Sequence, residues 1–476
     1  MKMKNKIRPF VCLLCMTIGL FATSCVDGFK DKYVFSSGVT GDTLKSLIAD
    51  SIKFTPSADG ATVKVSWPVV YGAGGYKFSF YKVDDPTNPV VIGTENQIVD
   101  GCSVSFPLLP DTKYKAVIQT LGNTKYNNKD AVDATTVSYS TYSPANAVIP
   151  AGTDLYQYFQ SNPIPNSTTG VIYELEAGGT YTMTGNVPFG TTPVTIRGDK
   201  VHHATVTMST GVFLSDGAGI NIKTIDFDCT NFTGASFITF NATLNSSVTS
   251  SAWGGVIVNS PVTIQSCKIT GLASSLIYDN AKKYALQTFL IKDCVIGQNT
   301  TSKTLISMAG GLIKDLTISN STIYDSQIAT GGYLIQYANS TNVSKITGAG
   351  WASGSVTLTN STFWQVYKTS KMANYSGMSQ IYNTLTVQKC IFIDSGNQRA
   401  IRDLAINTTM VRALGYNSYW FGGVFASAEI STSYDNSSTY INTDPQLKNP
   451  AGGDFTVGGA AQITAQTGDP RWLSIH

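Results

Sequence analysis

The sequence predicts an all-β protein, in which a small antiparallel β-sandwich precedes a parallel β-helix. Three observations favour this fold. Short apolar strands alternate with polar residues, one short phrase recurs at intervals near 27 residues, and that interval leaves no room for a helix. The chain has 476 residues, of which 42% are hydrophobic and 13% charged, enough for two or more domains with large cores.

Charge and histidine content exclude several classes of function. The net charge of +3 argues against a nucleic-acid-binding protein. The only histidines, His202, His203 and His476, argue against histidine-ligated metal sites and a histidine-based triad. We expect a monomer without a cofactor, except that Ca²⁺ is possible if the protein is a lyase.

The first residues have the pattern of an export signal. A basic stretch from Lys2 to Arg8 precedes the apolar stretch 10–22 and the small residues before Cys25. The pattern resembles a lipoprotein signal, which implies that residues 1–24 are removed and that Cys25 is acylated. A plain signal peptide cut nearby is the alternative.

The resemblance also implies a location. Asp27 and Asp31 resemble the acidic segment that follows the acylated cysteine in surface-exposed Bacteroidota-type lipoproteins. We therefore expect residues 25–43 to be a flexible tether, and the protein to be lipid-anchored at the cell outer membrane and exposed at the surface. The lipid is its only expected contact with the membrane.

The cysteines indicate neither disulfides nor zinc. Five of the eight cysteines follow Cys25, an odd number, and none of them forms a CxxC pair. Free cysteine also packs as a small apolar residue. We expect the later cysteines to lie in the core.

Residues 44–148 predict the sandwich. Val63, Val65 and Trp67 alternate with polar residues, as do the aromatic residues of 76–80. With Trp67 and the corner Leu109-Pro110-Asp111-Thr112-Lys113-Tyr114, this segment resembles a fibronectin type III domain, whose corner tyrosine bonds to the backbone. The resemblance implies a spacer without chemistry of its own.

Residues 150–445 carry the repeat. Each copy has an apolar residue, two variable residues, a small or polar marker, one variable residue and an apolar residue. The markers are Ile225, Cys267, Cys294, Ser321, Ser361, Cys390 and Asn417, with a weaker copy at Asp199. A second strand follows most markers, so we expect two strands per coil and an inward ladder of markers. A helix from Thr153 to Gln160 is expected to cap the first coil.

This segment resembles the pectin-lyase-like family of right-handed parallel β-helices. The resemblance is strongest at Leu175, Gly179, Tyr181 and Thr195-Ile196-Arg197-Gly198, and in the repeats. The tail at 446–476, with Gly468-Asp469-Pro470-Arg471-Trp472, resembles the ending of uncharacterised surface lipoproteins of gut Bacteroidota that often accompany pectin-degrading genes. We expect the tail to cap the last coil.

Three insertions are candidate binding sites. Two follow the second strand of their coils and carry Trp253 and Trp351, so they should protrude on the same side. The third begins at Trp364 and holds Tyr367 and Tyr375. Aromatic rings stack on sugars, which makes these five residues candidates for glycan binding, although each tryptophan could instead cover a small core under its own loop.

Catalytic motifs are missing. The Arg-x-Pro-x-x-Arg motif of pectate lyases and the Gly-His-Gly of polygalacturonases are absent. If the protein is a lyase, Lys368, Lys371, Arg399 or Arg402 would be the base. The last two, with Asp403, form the one dense charge cluster near a strand, for which a surface ion-pair set is the other interpretation.

Three functions follow from these observations. The first is a non-catalytic surface lipoprotein that binds a plant-type polysaccharide, possibly pectic, through a face of the β-helix. The second is a polysaccharide lyase that acts on a glycan containing uronic acid. The third is a structural or adhesive surface protein, which predicts that Trp253, Trp351 and Trp364 are all buried.

Overall fold

The computed structural model describes residues 40–338, 341–375, 383–405 and 410–473. The chain divides into two compact units, with the boundary between Tyr142 and Ser143. The expected signal peptide, Cys25 and most of the tether lie outside the described residues. Within the described ranges, no helix is long and apolar enough to cross a bilayer.

The first unit consists of two antiparallel sheets. The three-stranded sheet has the order β1-β2-β6, and the five-stranded sheet is built around β3 and β7. The strands are β1 (Lys53–Pro56), β2 (Thr62–Ser66), β3 (Gly75–Lys82), β4 (Val90–Val91), β5 (Gln97–Val99), β6 (Ser103–Pro107), β7 (Lys113–Leu121) and β8 (Thr135–Ser140).

One hydrophobic core joins the two sheets of the first unit. Trp67 stacks on Phe78 with ring centroids 5.5 Å apart, and both are buried. Val63 and Val65 are also buried, as their alternation predicts. The Leu109 N–H donates to the Tyr114 hydroxyl oxygen at 2.6 Å, so the tyrosine holds the corner before β7.

The second unit is a parallel β-solenoid with three sheets, which we name A, B and C. Sheet A contains β9 (Ala147–Ile149), β10 (Val171–Leu175), β13 (Val194–Arg197), β16 (Ile220–Lys223), β19 (Thr249–Ser250), β20 (Gly255–Val258), β21 (Val262–Gln265), β24 (Tyr284–Lys292), β27 (Leu312–Ser319), β30 (Ser355–Thr359), β33 (Thr384–Gln388) and β35 (Val411–Gly415).

Sheets B and C supply the other two sides. Sheet B contains β11 (Thr180–Met183), β14 (Ala204–Met208), β17 (Ile225–Asp228), β22 (Lys268–Leu272), β25 (Val295–Gln298), β28 (Thr322–Asp325), β31 (Thr362–Trp364), β34 (Ile391–Ile393), β36 (Ser418–Phe421) and β37 (Val424–Phe425). Sheet C contains β12 (Val187–Gly190), β15 (Phe213–Ser215), β18 (Ser236–Phe240), β23 (Ser275–Tyr278), β26 (Ile306–Met308), β29 (Ile335–Tyr337) and β32 (Ala373–Asn374).

A typical coil passes from sheet A to B to C, and the solenoid has about ten turns of the right-handed type. The parallel β-helix is therefore confirmed, but a full coil has three strands where the repeat predicts two. The reason is that the repeated phrase spans a corner. Ile264 ends up in β21 and Ile269 in β22, with the marker Cys267 between them.

The corner between sheets A and B is the most regular feature of the solenoid. In seven coils the residue before the marker has a left-handed backbone, with φ between 47° and 54°. These residues are Thr224, Ser266, Asp293, Asn320, Asn360, Lys389 and Tyr416. One left-handed residue turns the chain sharply enough for the marker to point inward.

The inward ladder of markers is confirmed. Cys294, Ser321 and Asn417 are fully buried. Ser321 Oγ accepts from the Cys294 N–H at 3.1 Å, and Asn417 Oδ1 accepts from the Cys390 N–H at 3.1 Å, so marker side chains bond to the preceding coil. The cysteines among the described residues are free thiols, and burial raises the pKa of Cys294 to about 12.

The first coil differs from the prediction in two details. The helix α1 (Leu155–Ser161) is capped by Asp154, whose Oδ1 accepts from the Gln157 N–H at 3.0 Å, and not by Thr153. The prediction that Asp199 is the marker of a weaker repeat copy is wrong as well. In the register, Ala204 is the residue paired with the marker Ile225, because the connection after β13 is longer here.

Two further helices and a hairpin complete the unit. They are α2 (Ala400–Leu404), α3 (Ala460–Ala465), β38 (Leu447–Asn449) and β39 (Asp454–Val457). The hairpin and α3 belong to the segment 446–473, which we call the tail.

Buried carboxylates connect coils where main-chain N–H groups converge. Asp279 accepts hydrogen bonds from four N–H groups, including those of Gly310 and Gly311 in the next coil, at 2.8 to 3.0 Å. Glu429 accepts from the N–H groups at the start of α2. Burial raises the pKa of Asp279 to about 6 and that of Glu429 to about 7, against these hydrogen bonds, which lower it.

We predict that Gly311→Ala destabilises the solenoid. A Cβ at Gly311 would lie 1.8 Å from the Tyr284 carbonyl oxygen of the preceding coil, so the two coils could not keep their spacing. Overpacking of this kind costs about 2–3 kcal/mol. Thermal unfolding followed by circular dichroism should show a lower melting temperature. Gly331→Ala is the matched control, because its nearest neighbour would lie at 3.6 Å, and an equal effect of both variants would contradict the prediction.

We predict that Glu429 makes stability depend on pH. Its pKa is raised in the folded state, so the native protein holds a proton between about pH 4.5 and 7 that the unfolded chain releases. This contribution to stability is fully present below about pH 4.5 and is lost as the pH rises through about 7. The melting temperature of Glu429→Gln relative to wild type should therefore increase from pH 5 to pH 8.

The control for this prediction is Glu95→Gln, which removes an exposed carboxyl group in the first unit. It should change the melting temperature of the solenoid by the same small amount at both pH values. A pH-independent difference between wild type and Glu429→Gln would show that Glu429 carries the same charge in the folded and unfolded states.

Candidate functional site

The outer face of sheet B carries two rows of side chains in register, because alternate residues of a strand point outward. Row 1 consists of Thr205, Asp226, Lys268, Val295, Thr322, Thr362 and Ile391. Row 2 consists of Thr207, Asp228 and Thr270 and, after a register shift between β22 and β25, of Gly297, Tyr324, Trp364 and Ile393. Both rows run along the axis of the solenoid.

The tail covers the later part of these rows. The Trp472 indole N–H donates to Thr322 Oγ1 at 2.8 Å, and that hydroxyl donates to Asp469 Oδ2 at 2.8 Å. Phe455 packs on Tyr324, with centroids 5.1 Å apart. The tail thus contacts the last coil, where Gln462 Nε2 donates to Ser418 Oγ at 3.0 Å, and also lies back along the side of the solenoid as far as β28.

A cleft of about 730 Å³ lies between sheet B and the tail. Its lining includes Asp226, Lys268 and Thr270 from sheet B, and Arg471 and Trp472 from the tail. All of these belong to the second unit. The volume lies in the range of ordinary ligand sites.

Charged groups of both signs surround the cleft, and most are paired. His203 Nδ1 lies 2.8 Å from Asp226 Oδ1, and Arg471 Nη1 lies 3.4 Å from Asp469 Oδ2. Lys268 differs, because it is exposed and forms no ion pair with any residue that the structure describes. Burial raises the pKa of Asp469, against Arg471, which lowers it.

Tyr324 forms the aromatic side of the cleft because Gly297 makes room for it. A Cβ at Gly297 would lie 2.4 Å from the Tyr324 hydroxyl oxygen, so the ring lies over the neighbouring coil. Phe455 and Trp472 back this aromatic cluster, with their centroids 5.7 Å apart. The cleft therefore combines half-buried rings, carboxyl groups, hydroxyl groups and one ammonium group without an ion pair among the described residues, which suits a polyhydroxylated ligand.

The described residues do not provide a metal-binding cluster, because no three or more of their His, Cys, Asp or Glu side chains are grouped so that they could hold a metal ion.

The first two insertions lie on the same side, as predicted. The Ser250 hydroxyl donates to the Thr347 carbonyl oxygen at 3.5 Å, so the loops touch although three coils separate them. Trp253 and Trp351 are half-buried and pack against the core of the solenoid. Neither ring is fully exposed or fully buried, so these tryptophans act at least partly as covers for the core beneath their loops.

Two predicted glycan-binding residues are wrong. Tyr367 and Tyr375 are fully buried in the solenoid core. Their hydroxyl groups donate to the carbonyl oxygens of Lys303 at 2.8 Å and Leu404 at 2.6 Å. A ring without an exposed face cannot stack on a sugar, and the hydroxyl groups satisfy buried carbonyls instead. Trp364 ends β31 in row 2, where the tail residue Phe455 half covers it.

Three of the candidate bases lie around one acid, because burial raises the pKa of the Asp403 carboxyl group, whereas Arg399, Lys371 and Arg402 each lower it. Lys368 Nζ is paired with Asp394 Oδ2 at 2.8 Å, and Arg399 with the buried Asp403 at 3.2 Å. Arg402 is exposed and lies over the Tyr434 ring, 5.4 Å from its centroid. Lys371 is exposed. The ion pairs of Lys368 and Arg399 give these two residues a structural role.

Sequence reasoning missed the cleft. His203, Lys268 and Trp472 come from distant parts of the chain, and only the register of sheet B brings them together. The sequence did indicate the residues at the floor of the cleft. Asp226 and Lys268 each follow an inward-pointing marker by one residue, so their side chains must point outward. Nothing in the spacing could place the tail on β28.

Three family models match consecutive parts of the chain, and each is described as a domain of unknown function. They are DUF4992 at residues 4–178, DUF4957 at 179–326 and DUF5123 at 356–472. Each covers less than half of the chain. The third model includes the tail through Trp472 together with the last coils. No curated protein matches the chain.

Two solved structures of pectate lyases are among the matches. PelI from Erwinia chrysanthemi, in complex with tetragalacturonic acid, is 11% identical, with 57% of this chain and 84% of that chain covered and a TM-score of 0.14. Pel3 from Pectobacterium carotovorum is 10% identical, with 56% and 85% covered and a TM-score of 0.14. TM-scores this low do not support a structural relationship, so the assignment of a solenoid rests on the strand pairing of the chain itself.

Proposed function

We propose that this protein is a lipid-anchored protein of the outer-membrane surface whose solenoid binds an acidic plant-type polysaccharide, such as a pectic glycan, without cleaving it. The observation that carries the proposal is the cleft beside the tail. Lys268, which forms no ion pair with any described residue, lines this cleft together with the half-buried rings of Tyr324 and Trp472.

The chemistry of the cleft matches that of an acidic sugar. The apolar face of a sugar ring packs on an aromatic side chain, and its hydroxyl groups bond to polar side chains such as Thr270. A carboxylate group would be attracted to Lys268 and to Arg471, which is about one-third exposed. This supports a uronic acid more than a neutral sugar.

The anchor and the first unit fit the same role. An acylated Cys25 would hold the protein at the membrane. The fibronectin type III resemblance of the first unit is supported by its two antiparallel sheets over one core and by the Tyr114 corner. We propose that this unit is a spacer between the membrane and the solenoid.

Binding without cleavage is favoured by the pairing of two of the four candidate bases. Lys368 and Arg399 are paired with carboxylates, and a paired cation is a poor proton acceptor in an elimination. The lyase motifs sought in the sequence are also absent. Polysaccharide lyase activity therefore remains the second candidate function, and the experiment below includes a result that would support it.

We predict that Lys268→Ala weakens binding to homogalacturonan and rhamnogalacturonan in affinity gel electrophoresis. Loss of a hydrogen bond to a charged group costs about 1.5–3 kcal/mol, which corresponds to a roughly 10- to 100-fold larger Kd. Lys64→Ala, at an exposed lysine of the first unit, is the matched control and should bind like wild type.

Two results would contradict this assignment. If Trp253→Ala or Trp351→Ala abolishes retardation while Lys268→Ala does not, the glycan binds at the insertions. If absorbance of an unsaturated product rises with either glycan, with or without Ca²⁺, the protein is a lyase. No retardation by any acidic or neutral plant glycan would remove the proposed function altogether.

We predict that Cys25→Ser abolishes acylation. Without the thiol no lipid can be attached, so the variant should lose metabolic palmitate label and leave the membrane fraction. Cys102→Ser, which changes a half-buried cysteine of the first unit, should keep both the label and the membrane location. A labelled Cys25→Ser protein would show that the anchor lies elsewhere.

A further inference from the structure

We infer that the cleft recognises the end of a glycan chain and not its interior. This inference rests on the proposed function and adds to it the class of ligand, a chain terminus or a short oligosaccharide. It follows from the direction of the groove and from what closes it.

The groove runs along the solenoid axis. Row 1 is in register from β14 to β25, and its members Asp226, Lys268 and Val295 line the cleft, so the cleft forms a trough that crosses the strands of three successive coils. On the side of the amino-terminal coils, the outward residues Thr205 and Thr207 of β14 and Thr180 and Thr182 of β11 are exposed.

The other end of the groove is closed by the tail. Thr322 is the next residue of row 1, and its hydroxyl is bonded to both Asp469 and Trp472. Tyr324 is the next outward residue of row 2, and its ring lies over Gly297 and under Phe455. Beyond this point the tail occupies the rows as far as β34, where Val457 and Leu473 pack on Ile391.

The open part of the trough is short. From β14 to β25 there are three strand spacings, about 14 Å at the separation of neighbouring strands. A longer glycan that lies along the trough cannot pass through the tail. Its last residues must therefore stop at Trp472 and Arg471, with the remainder of the chain leaving over β14 and β11.

The closed end also carries the groups that distinguish a terminus. Arg471, Asp293 and Tyr324 line the cleft together with Gly452 and Gly453 of the tail. A terminal sugar has one more free hydroxyl group than an internal sugar. An internal residue would instead have to continue its chain into the tail.

Isothermal titration calorimetry with size-fractionated homogalacturonan and rhamnogalacturonan tests the inference. Recognition of a terminus predicts one protein per glycan chain, with the same Kd per chain, from short oligomers to long polymers. Several proteins per chain, increasing in proportion to chain length, would overturn the inference and leave the proposed function standing. No binding to fractions of any length would overturn the proposed function, and this inference with it.

A variant that releases the tail provides an independent test. Thr322→Val keeps the shape of the side chain but removes the hydroxyl that holds Asp469 and Trp472. The groove should then extend over β28, so the number of proteins bound per long polymer should rise above one. The Kd should increase for glycans of every length, because release of the tail also takes Arg471 and Trp472 out of the cleft. Thr62→Val, at an exposed threonine of the first unit, is the control and should keep one protein per chain. If the Thr322 variant does not fold, the length series with wild-type protein decides alone.

Discussion

Every feature of the solenoid depends on each coil lying in register on the next. The corner between sheets A and B fixes that register, because a single left-handed residue turns the chain and aims the next side chain inward. Ser321 and Asn417 then bond to main-chain N–H groups of the preceding coil. Stacked coils bury side chains that no single coil could bury alone, so register and core are one constraint.

The regular core leaves the outer faces free to differ, and the candidate function lies there. Insertions lengthen some coils without disturbing the ladder, and the tail uses one row of outward hydroxyl groups as its attachment. Thr322 is the clearest case, since its single hydroxyl serves both an acid and an indole from the tail. Such a site can change by changing the covering segment while the coils beneath it stay the same.

The sequence predicts the solenoid well because the repeat is local. Cys267 and Cys294 are 27 residues apart in the chain and neighbours in the ladder, so a periodic pattern is enough. The sequence predicts the number of strands per coil less well. The repeated phrase spans a corner between two strands, but its alternation of apolar residues is that of a single strand. The candidate site depends on contacts without a period. Trp472 contacts Thr322, which is 150 residues away in the sequence. Tyr367 is buried in the core, but its sequence surroundings do not distinguish it from an exposed tyrosine.

The position of the tail in the chain has a consequence for biogenesis. The tail follows all the coils, and its docking surface on β28 and β31 must already exist before it can attach. A polypeptide exported from its amino-terminal end would therefore acquire a stacked solenoid first and the closed end of its groove only afterwards. Until that moment Tyr324 and Trp364 would be uncovered by Phe455, so a premature stop within the tail would leave aromatic rings exposed and favour aggregation.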